Sequence, residues 1–415
     1  MVLSKFPLLK LPKVALNDIL KLFTPFEIVS LSLCSNYTKS ICKTIRAVTQ
    51  CKETLSCFDV SISYYESIIR LRFTHFPLDE WSFHLLKEQR LEKLISHKFC
   101  LFFRGIKRTV FPKNVGNNAL ENLMLPSWNP TGNTISEDSD VVLDHSYCLK
   151  IYACENVLSA TKKVYSYLSD IFHVKMKHFS FDYRHLSIEK SQLVMDSFFQ
   201  QPIQRFKLSE ENTIDAFKSD ALIYILQSQK TTSFFDLYEN PSPGFTCDFE
   251  QMETVPELMD FSYSHWITFK QILKLKNENL WFSRSNFLQT DFEILIKKWR
   301  DGWTPNWKSL LIEFNEDVNI DTCVSGYFIQ LPPNSGHWNK TTVYRNFPIE
   351  LNRFIMRYKT AKEPINFIGY HILRSDGRIA TIAVDNNKIG WFQIQSDDKD
   401  QQMVFGFHPR VFDLL

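Results

Sequence analysis

Glycine is scarce in this chain, at 11 of 415 residues. So thin a supply argues against a nucleotide fold whose glycine-rich loop lets the backbone cradle phosphates, and no G-x-x-x-x-G-K-[ST], G-x-G-x-x-G or G-x-S-x-G string occurs. An excess of one charge is also missing. Lys plus Arg number 48 against 46 Asp plus Glu, and a net charge of +2 supplies no field that would recruit nucleic acid or an anionic membrane. No run approaches the roughly 18 apolar residues of a membrane span, and Met1 to Leu11 is interrupted by Lys5, Pro7 and Lys10, unlike a signal peptide. The nine cysteines are scattered without a C-x-x-C pair, so neither a zinc module nor a disulfide framework is indicated. A reducing compartment, cytoplasmic or nuclear, with free buried thiols, is the expectation.

What the chain has in plenty is aromatic surface: 36 Phe, 15 Tyr and 9 Trp, enough to build wide apolar faces, some of them for partners. A length of 415 residues suits two or three domains. The first organised stretch is Lys5 to Arg46. Pro12 is tolerated only in the opening turn of a helix, so a helix should begin there. Val14, Leu16, Ile19, Leu20 and Phe23 then form a broad apolar face, Thr24-Pro25 breaks the run, and Phe26, Ile28, Leu31 and Leu33 begin another. Two or three short helices in so small a unit cannot bury enough apolar area to stand alone. An ordinary helical hairpin of a larger helical domain would show similar spacing.

Leu11-Pro12, Ile19, Phe23, Ile28, Leu31 and Leu33-Cys34 fall at spacings that resemble the F-box. That resemblance implies a helical module docking on the Skp-type adaptor of a cullin–RING ubiquitin ligase. Leu11, Pro12, Ile19, Phe23, Ile28 and Leu31 would lie at the adaptor interface or in its immediate support. Val14 departs from the pattern where an acidic residue is common, and Tyr37 where a Trp often closes the motif.

Beyond Arg46 the pattern turns extended. Phe58 to Arg72 alternates with period two and reads as a hairpin, Cys100 to Phe111 reads as another extended segment, and Pro77 to Lys98 between them as helical. Asn114 to Asp140, rich in Asn, Pro, Gly, Ser and Asp, reads as an exposed loop carrying Trp128. From Glu155 helical and strand patterns alternate. Val157, Ala160, Val164, Leu168 and Ile171 mark a helix, and strands centre on Phe179 to Phe181, Phe206, Phe234 to Leu237, Met259 to Phe261, Leu280 to Phe282 and Leu310 to Ile312. Helices are expected over Ile188 to Phe199, Ile214 to Leu226, Trp266 to Leu275 and Phe292 to Trp299. A period of roughly twenty to thirty residues is that of a solenoid with one strand and one helix per unit, similar to an irregular leucine-rich-repeat array, although the strict L-x-x-L-x-L-x-x-N string is absent and a consecutive α/β sandwich fits as well. Thr290 and Glu293 form a capping-box pattern ahead of the stripe Phe292, Leu295, Ile296, Trp299, and Gly302 stands where that helix should stop. Asp376-Gly377 signals a hairpin between Tyr370 to Leu373 and Ile379 to Val384, with Trp391, Phe392 and Ile394 in a further strand.

S-H-W-I-T-F-K-Q-I-L, L-W-F-S-R-S-N-F-L-Q-T-D-F-E-I-L-I-K-K-W-R-D-G and R-S-D-G-R-I-A-T-I also resemble the type-2 F-box-associated domain that follows the F-box in a large group of nematode proteins. The expected architecture is α+β or α/β: a helical F-box module over 1–50, an extended region over 51–140 with a loop near 114–140, and an α/β domain over 141–415, its βα repeats about 150–320 and its hairpins 325–415. The resemblance implies a non-catalytic substrate receptor with a protein target, and the balanced charge and short apolar runs lead us to expect no nucleic-acid or membrane partner. A repeat scaffold with a decayed F-box, and an enzyme, are the alternatives.

Chemistry is thin. Asp144-His145-Ser146 are adjacent, whereas triads assemble in space. His173, His178 and His185 lack metal-ligand spacing. Arg104, Lys107 and Arg108 with Phe102 and Phe103, and Lys175, Lys177 and Arg184 with Phe179 and Tyr183, interleave cations and aromatics as single-strand binders do, but acidic residues elsewhere cancel the field. No catalytic, cofactor or metal site is expected.

Overall fold

The computed structural model describes residues 8–48, 55–64, 66–73, 76–87, 123–124, 129–131, 145–153, 156–183, 185–208, 219–242, 244–324, 340–345, 365–374, 376, 378–385 and 387–394. The chain divides into two compact units, Met1–Ser180 and Phe181–Leu415.

The first unit opens with three helices, α1 (Lys13–Lys21), α2 (Pro25–Ser32) and α3 (Asn36–Val48). Pro12 is the N-cap of α1, as its missing N–H allows. Thr24-Pro25, which breaks the apolar run, starts the next helix: the Glu27 amide donates to Thr24 Oγ1 at 3.2 Å while the Glu27 carboxylate accepts from the Thr24 amide at 2.8 Å. Strands β1 (Leu55–Ile62), β2 (Glu66–Phe73) and β3 (Phe76–Lys87) follow, with β1 and β2 forming the expected antiparallel hairpin. β3 corrects the helical expectation for the described part of Pro77 to Lys98. Trp81, Phe83 and Leu85 are buried on one face while Glu80, Ser82 and His84 occupy the other, and pairing to β2 and to β6 (His145–Ala153) fits that period of two, which a helix would scatter. Short β4 (Leu123–Met124) and β5 (Asn129–Thr131) pair with β6 inside the stretch expected to be a loop, whereas Trp128 and the Cys100 to Phe111 segment lie outside the described residues. Helix α4 (Val157–Phe172) buries Ala160, Val164, Leu168 and Ile171 as its spacing requires and ends at His173 in the left-handed region, φ 53°. With β7 (His178–Phe181), the sheet order is β7-β1-β2-β3-β6-β4.

The second unit carries α5 (Ile188–Phe198), β8 (Ile203–Leu208), α6 (Ser219–Ser228), β9 (Thr231–Leu237), β10 (Leu258–Phe261), α7 (Phe269–Ile272), β11 (Asn279–Phe282), α8 (Gln289–Arg300), β12 (Ser309–Glu313) and α9 (Ile320–Val324). Strands β8 to β12 lie side by side in sequence order, all parallel, the βα array that the sequence period implies. Phe206, Phe235, Met259, Leu280 and Leu310 stand in register across it, each fully or almost fully buried. Buried amides stitch neighbouring units: Gln229 Nε2 donates to the Thr254 carbonyl at 2.8 Å and Asn277 Nδ2 to the Pro256 carbonyl at 2.7 Å. The helix expected over Trp266 to Leu275 is a single turn, α7, begun by a capping box between Thr268 and Gln271.

Helix α8 is capped two residues earlier than its sequence suggests. Leu288 is the N-cap, its amide donates to Asp291 at 3.0 Å, and Glu293 instead takes a hydrogen bond from Gln289 Nε2 at 2.8 Å. Its end is as expected: Gly302 has φ 98°, its amide donates to the Trp299 carbonyl and that of Trp303 to the Lys298 carbonyl, the paired bonds of a Schellman motif. Strands β13 (Lys340–Arg345), β14 (Ile365–Leu373), β15 (Ile379–Asp385) and β16 (Ile389–Ile394) run antiparallel, and β16 pairs with β12 to complete the sheet. Gly390 sits against the Phe314 ring, which a Cβ at this position would overlap.

Candidate functional site

Helices α1 to α3 enclose a small core of Leu16, Leu20, Phe26, Ile28, Val29 and Cys42. Of the six residues expected at or behind an adaptor surface, Ile28 is fully buried, its carbonyl 3.8 Å from Cys42 Sγ, so it can act only as support. Leu11, Ile19, Phe23 and Leu31 are half-buried, and Pro12 is exposed. Larger apolar surface lies at positions outside that set: Leu22 is 84% exposed, Val14 75% and Tyr37 62%. Val14 begins the outward face of α1 and Leu22 ends it, with the Asp18–Lys21 ion pair (2.9 Å) between them. The signal for Leu22 was in the sequence. It falls off the Leu16 and Leu20 stripe, and a large apolar side chain off the stripe of a small helix is either wasted or waiting for a partner.

The other side of the helical module is bonded to the rest of the first unit. Ser32 Oγ and Tyr167 OH are 2.8 Å apart, Lys39 Nζ sits 4.6 Å from the Tyr167 ring centre, and the Phe26 and Phe83 rings meet edge to face at 5.1 Å. Asp170 on α4 receives Lys43 at 2.5 Å and Lys39 at 3.0 Å. Burial works to raise the Asp170 pKa, but the two lysine hydrogen bonds outweigh it and hold the carboxyl below its usual value. Burial pushes the Tyr167 hydroxyl up to about 12. His173, turned by its left-handed backbone, approaches the Lys43 carbonyl at 3.3 Å. Lys39, Lys43, Asp170 and His173 line a groove of about 560 Å³ with Asn36, Ser40 and Thr44. The module therefore has one face committed to its own chain and one left to solvent.

The sequence candidates for chemistry disperse. His145 and Ser146 are consecutive residues of β6, and Asp144 lies outside the described residues. His178 Nδ1 is 3.0 Å from the half-buried Asp59 on β1, a pair within the first sheet. No group of three His, Cys, Asp or Glu side chains able to hold a metal occurs among the described residues. In the cation–aromatic pattern around Lys175, Phe179 and Tyr183 are each 1% exposed, so neither ring can stack on a base, and Arg104, Lys107, Arg108 and Arg184 fall outside the described residues. No described helix is long and apolar enough to cross a membrane.

The first unit thus presents a small three-helix module with an outward apolar face and an inward face bonded to α4 and the sheet of the same unit. Comparison with known families is specific: residues 8–47 match the family model of the F-box domain, and the chain carries that domain there. No curated protein and no solved structure matches the chain.

Proposed function

We propose that the protein is the substrate-receptor subunit of a cullin–RING ubiquitin ligase of the SCF type, cytoplasmic or nuclear, without catalytic residues of its own. The F-box docks a Skp-type adaptor through the outward face of α1 and its neighbours, where Pro12, Leu11, Ile19, Phe23 and Leu31 contact or back the adaptor and Ile28 supports them from the core. The α/β body, read as a type-2 F-box-associated domain with leucine-rich-repeat-like units over about 150–320 and hairpins over 325–415, holds a protein target. The mechanism is proximity: a target held beside a ubiquitin-charged enzyme reacts as if at high local concentration.

The observation that carries this reading is the F-box match at residues 8–47 on a module whose far side is bonded to the rest of the unit. A docked F-box then fixes the orientation of the first unit, as a receptor requires. Co-purification of the intact protein with a Skp-type adaptor tests it; Pro12→Ala combined with Ile19→Asp should abolish the complex, and an undiminished yield of complex would refute the assignment. One observation favours a second reading, a protein-interaction scaffold with a decayed F-box: both departures from the motif, Val14 and Tyr37, lie on the exposed surface. A wild-type chain that captures no adaptor yet retains a stable partner through residues 181–415 would select it.

A further inference from the structure

Helix α3 buries Thr38 and Cys42 on one side and turns a polar stripe toward α4 on the other. Asn36, Lys39, Ser40, Lys43 and Thr44 recur at helical spacing, so the stripe is about 12 Å long. Asp170 and the α4 C-cap His173 complete the lining of the groove of about 560 Å³, all within the first unit. We propose that this groove is a binding site for a phosphate monoester, with Lys39 and Lys43 holding its anionic head.

The groove already shows that its two ammonium groups converge on one oxyanion: Asp170 lies 3.0 Å from Lys39 Nζ and 2.5 Å from Lys43 Nζ. An ammonium carries three N–H groups, and each lysine gives one to that carboxylate. The other N–H groups, the Ser40 hydroxyl and the Asn36 side-chain amide have no hydrogen-bond partner among the described residues. Thr44 Oγ1 donates to the Ser40 carbonyl at 2.9 Å and His173 Nε2 faces the Lys43 carbonyl at 3.3 Å, so these two shape the groove rather than bind in it. Two lysines against Asp170 leave one positive charge over. A phosphate monoester brings about −1.5 to −2 charges and three acceptor oxygens, which suits the donors that a carboxylate leaves unused. Asp170 repels it, but two attractions against one repulsion at similar range favour binding. The lysine side chains stay 30% and 34% exposed, so the head can reach them. The volume exceeds what a bare phosphate fills and lies within the range of small-molecule sites, which favours an ester with a carbon part.

The test is calorimetric titration of the full chain at low ionic strength, where exposed charges are least screened, with two probes: glycerol 2-phosphate and a capped Gly-phosphoserine-Gly peptide. Binding of either supports the site, and the tighter of the two names the source of the ester; binding of neither overturns it. The same peptide with Glu for phosphoserine should bind at least about fivefold more weakly, and equal affinity would overturn the phosphate assignment. Lys43→Gln should weaken the phosphate probe several-fold. Because Lys43 also holds the seat on α4, Ser40→Glu is the second variant: Ser40 is exposed and its side chain unbonded, so the chain should fold while the new carboxylate repels the probe about tenfold. Unchanged affinity in a folded Ser40→Glu chain would overturn the proposal. The site does not rest on the ligase reading, so its failure leaves adaptor binding untouched.

Discussion

Arg374 stands over the Trp299 ring at 4.2 Å, joining two segments that are more than seventy residues apart in the chain. The arginine is 4% exposed, and its donors are used: Nη1 reaches the carbonyls of Gly302 and Trp303 and the hydroxyl of Thr304, while Nε and Nη2 fork onto Asp376. Trp299 lies in the last turn of α8, and the accepting carbonyls follow directly after its C-cap, at the end where the helix dipole favours a cation. The R-S-D-G-R hairpin and the W-R-D-G helix end are thus one clasp. The Asp376 carboxyl is held down to about 2 by its hydrogen bonds to Arg374.

Breaking that clasp should loosen the second unit. Arg374→Ala leaves a helix terminus and a ring without their partner and should cost about 3 kcal/mol, and Arg374→Lys most of that, since an ammonium cannot stack and fork at once. Denaturant unfolding followed by tryptophan fluorescence reads both; a Lys variant as stable as wild type would count against the planar geometry as the cause.

Adaptor binding and stability should separate at Leu22. Because its side chain is 84% exposed, Leu22→Asp should leave the melting temperature of the protein within a degree or two while weakening adaptor capture by tenfold or more, roughly the loss of a single apolar anchor. Titration calorimetry against the purified adaptor measures the second quantity.

The seat of the F-box should show an acid limb. Asp170 is held below its ordinary 3.8, so the folded chain gives up that proton more readily than the unfolded one. Its contribution is present above pH 3.8 and is lost as the pH falls through the lowered folded value. The carboxylate side chain stays 40% exposed, which limits the gain to about 1 kcal/mol or less. Asp170→Asn should therefore flatten the pH dependence of unfolding below about pH 5, and matching acid profiles of the two proteins would show that the pair with Lys39 and Lys43 contributes nothing.

Gly390→Ala tests the close approach between β16 and Phe314. The added methyl overlaps the ring, so either the strand or Phe314 must shift, at a cost of about 1–3 kcal/mol. A neutral substitution would mean the ring swings away freely.

Much of the fold was legible locally. The apolar spacing of α4, the strand at Phe179 and the parallel run from Phe206 to Ile312 follow from periodicity, because burying one face of a regular element leaves a periodic mark. Pro12 and Thr24-Pro25 placed the helix starts of the F-box for the same local reason, a backbone N–H that is missing or must be capped. Where neighbours compete, local reading failed. Thr290 and Glu293 satisfy the capping pattern, yet Leu288 and Asp291 cap α8, since Glu316 takes the Gln289 amide at 2.7 Å from a loop that no local rule includes.

The sequence by itself determined the F-box, the βα alternation and the absence of nucleotide and metal motifs, all of which reside in residue type and spacing. Only the tertiary structure decided that Phe76–Lys87 is a strand between two partners, that Val14 and Leu22 face solvent while Ile28 is sealed, and that Arg374 meets Trp299 and His84 meets Glu66. Those outcomes depend on strand pairing and long-range burial, and chain order alone places no limit on which distant side chains a closing core will bring together.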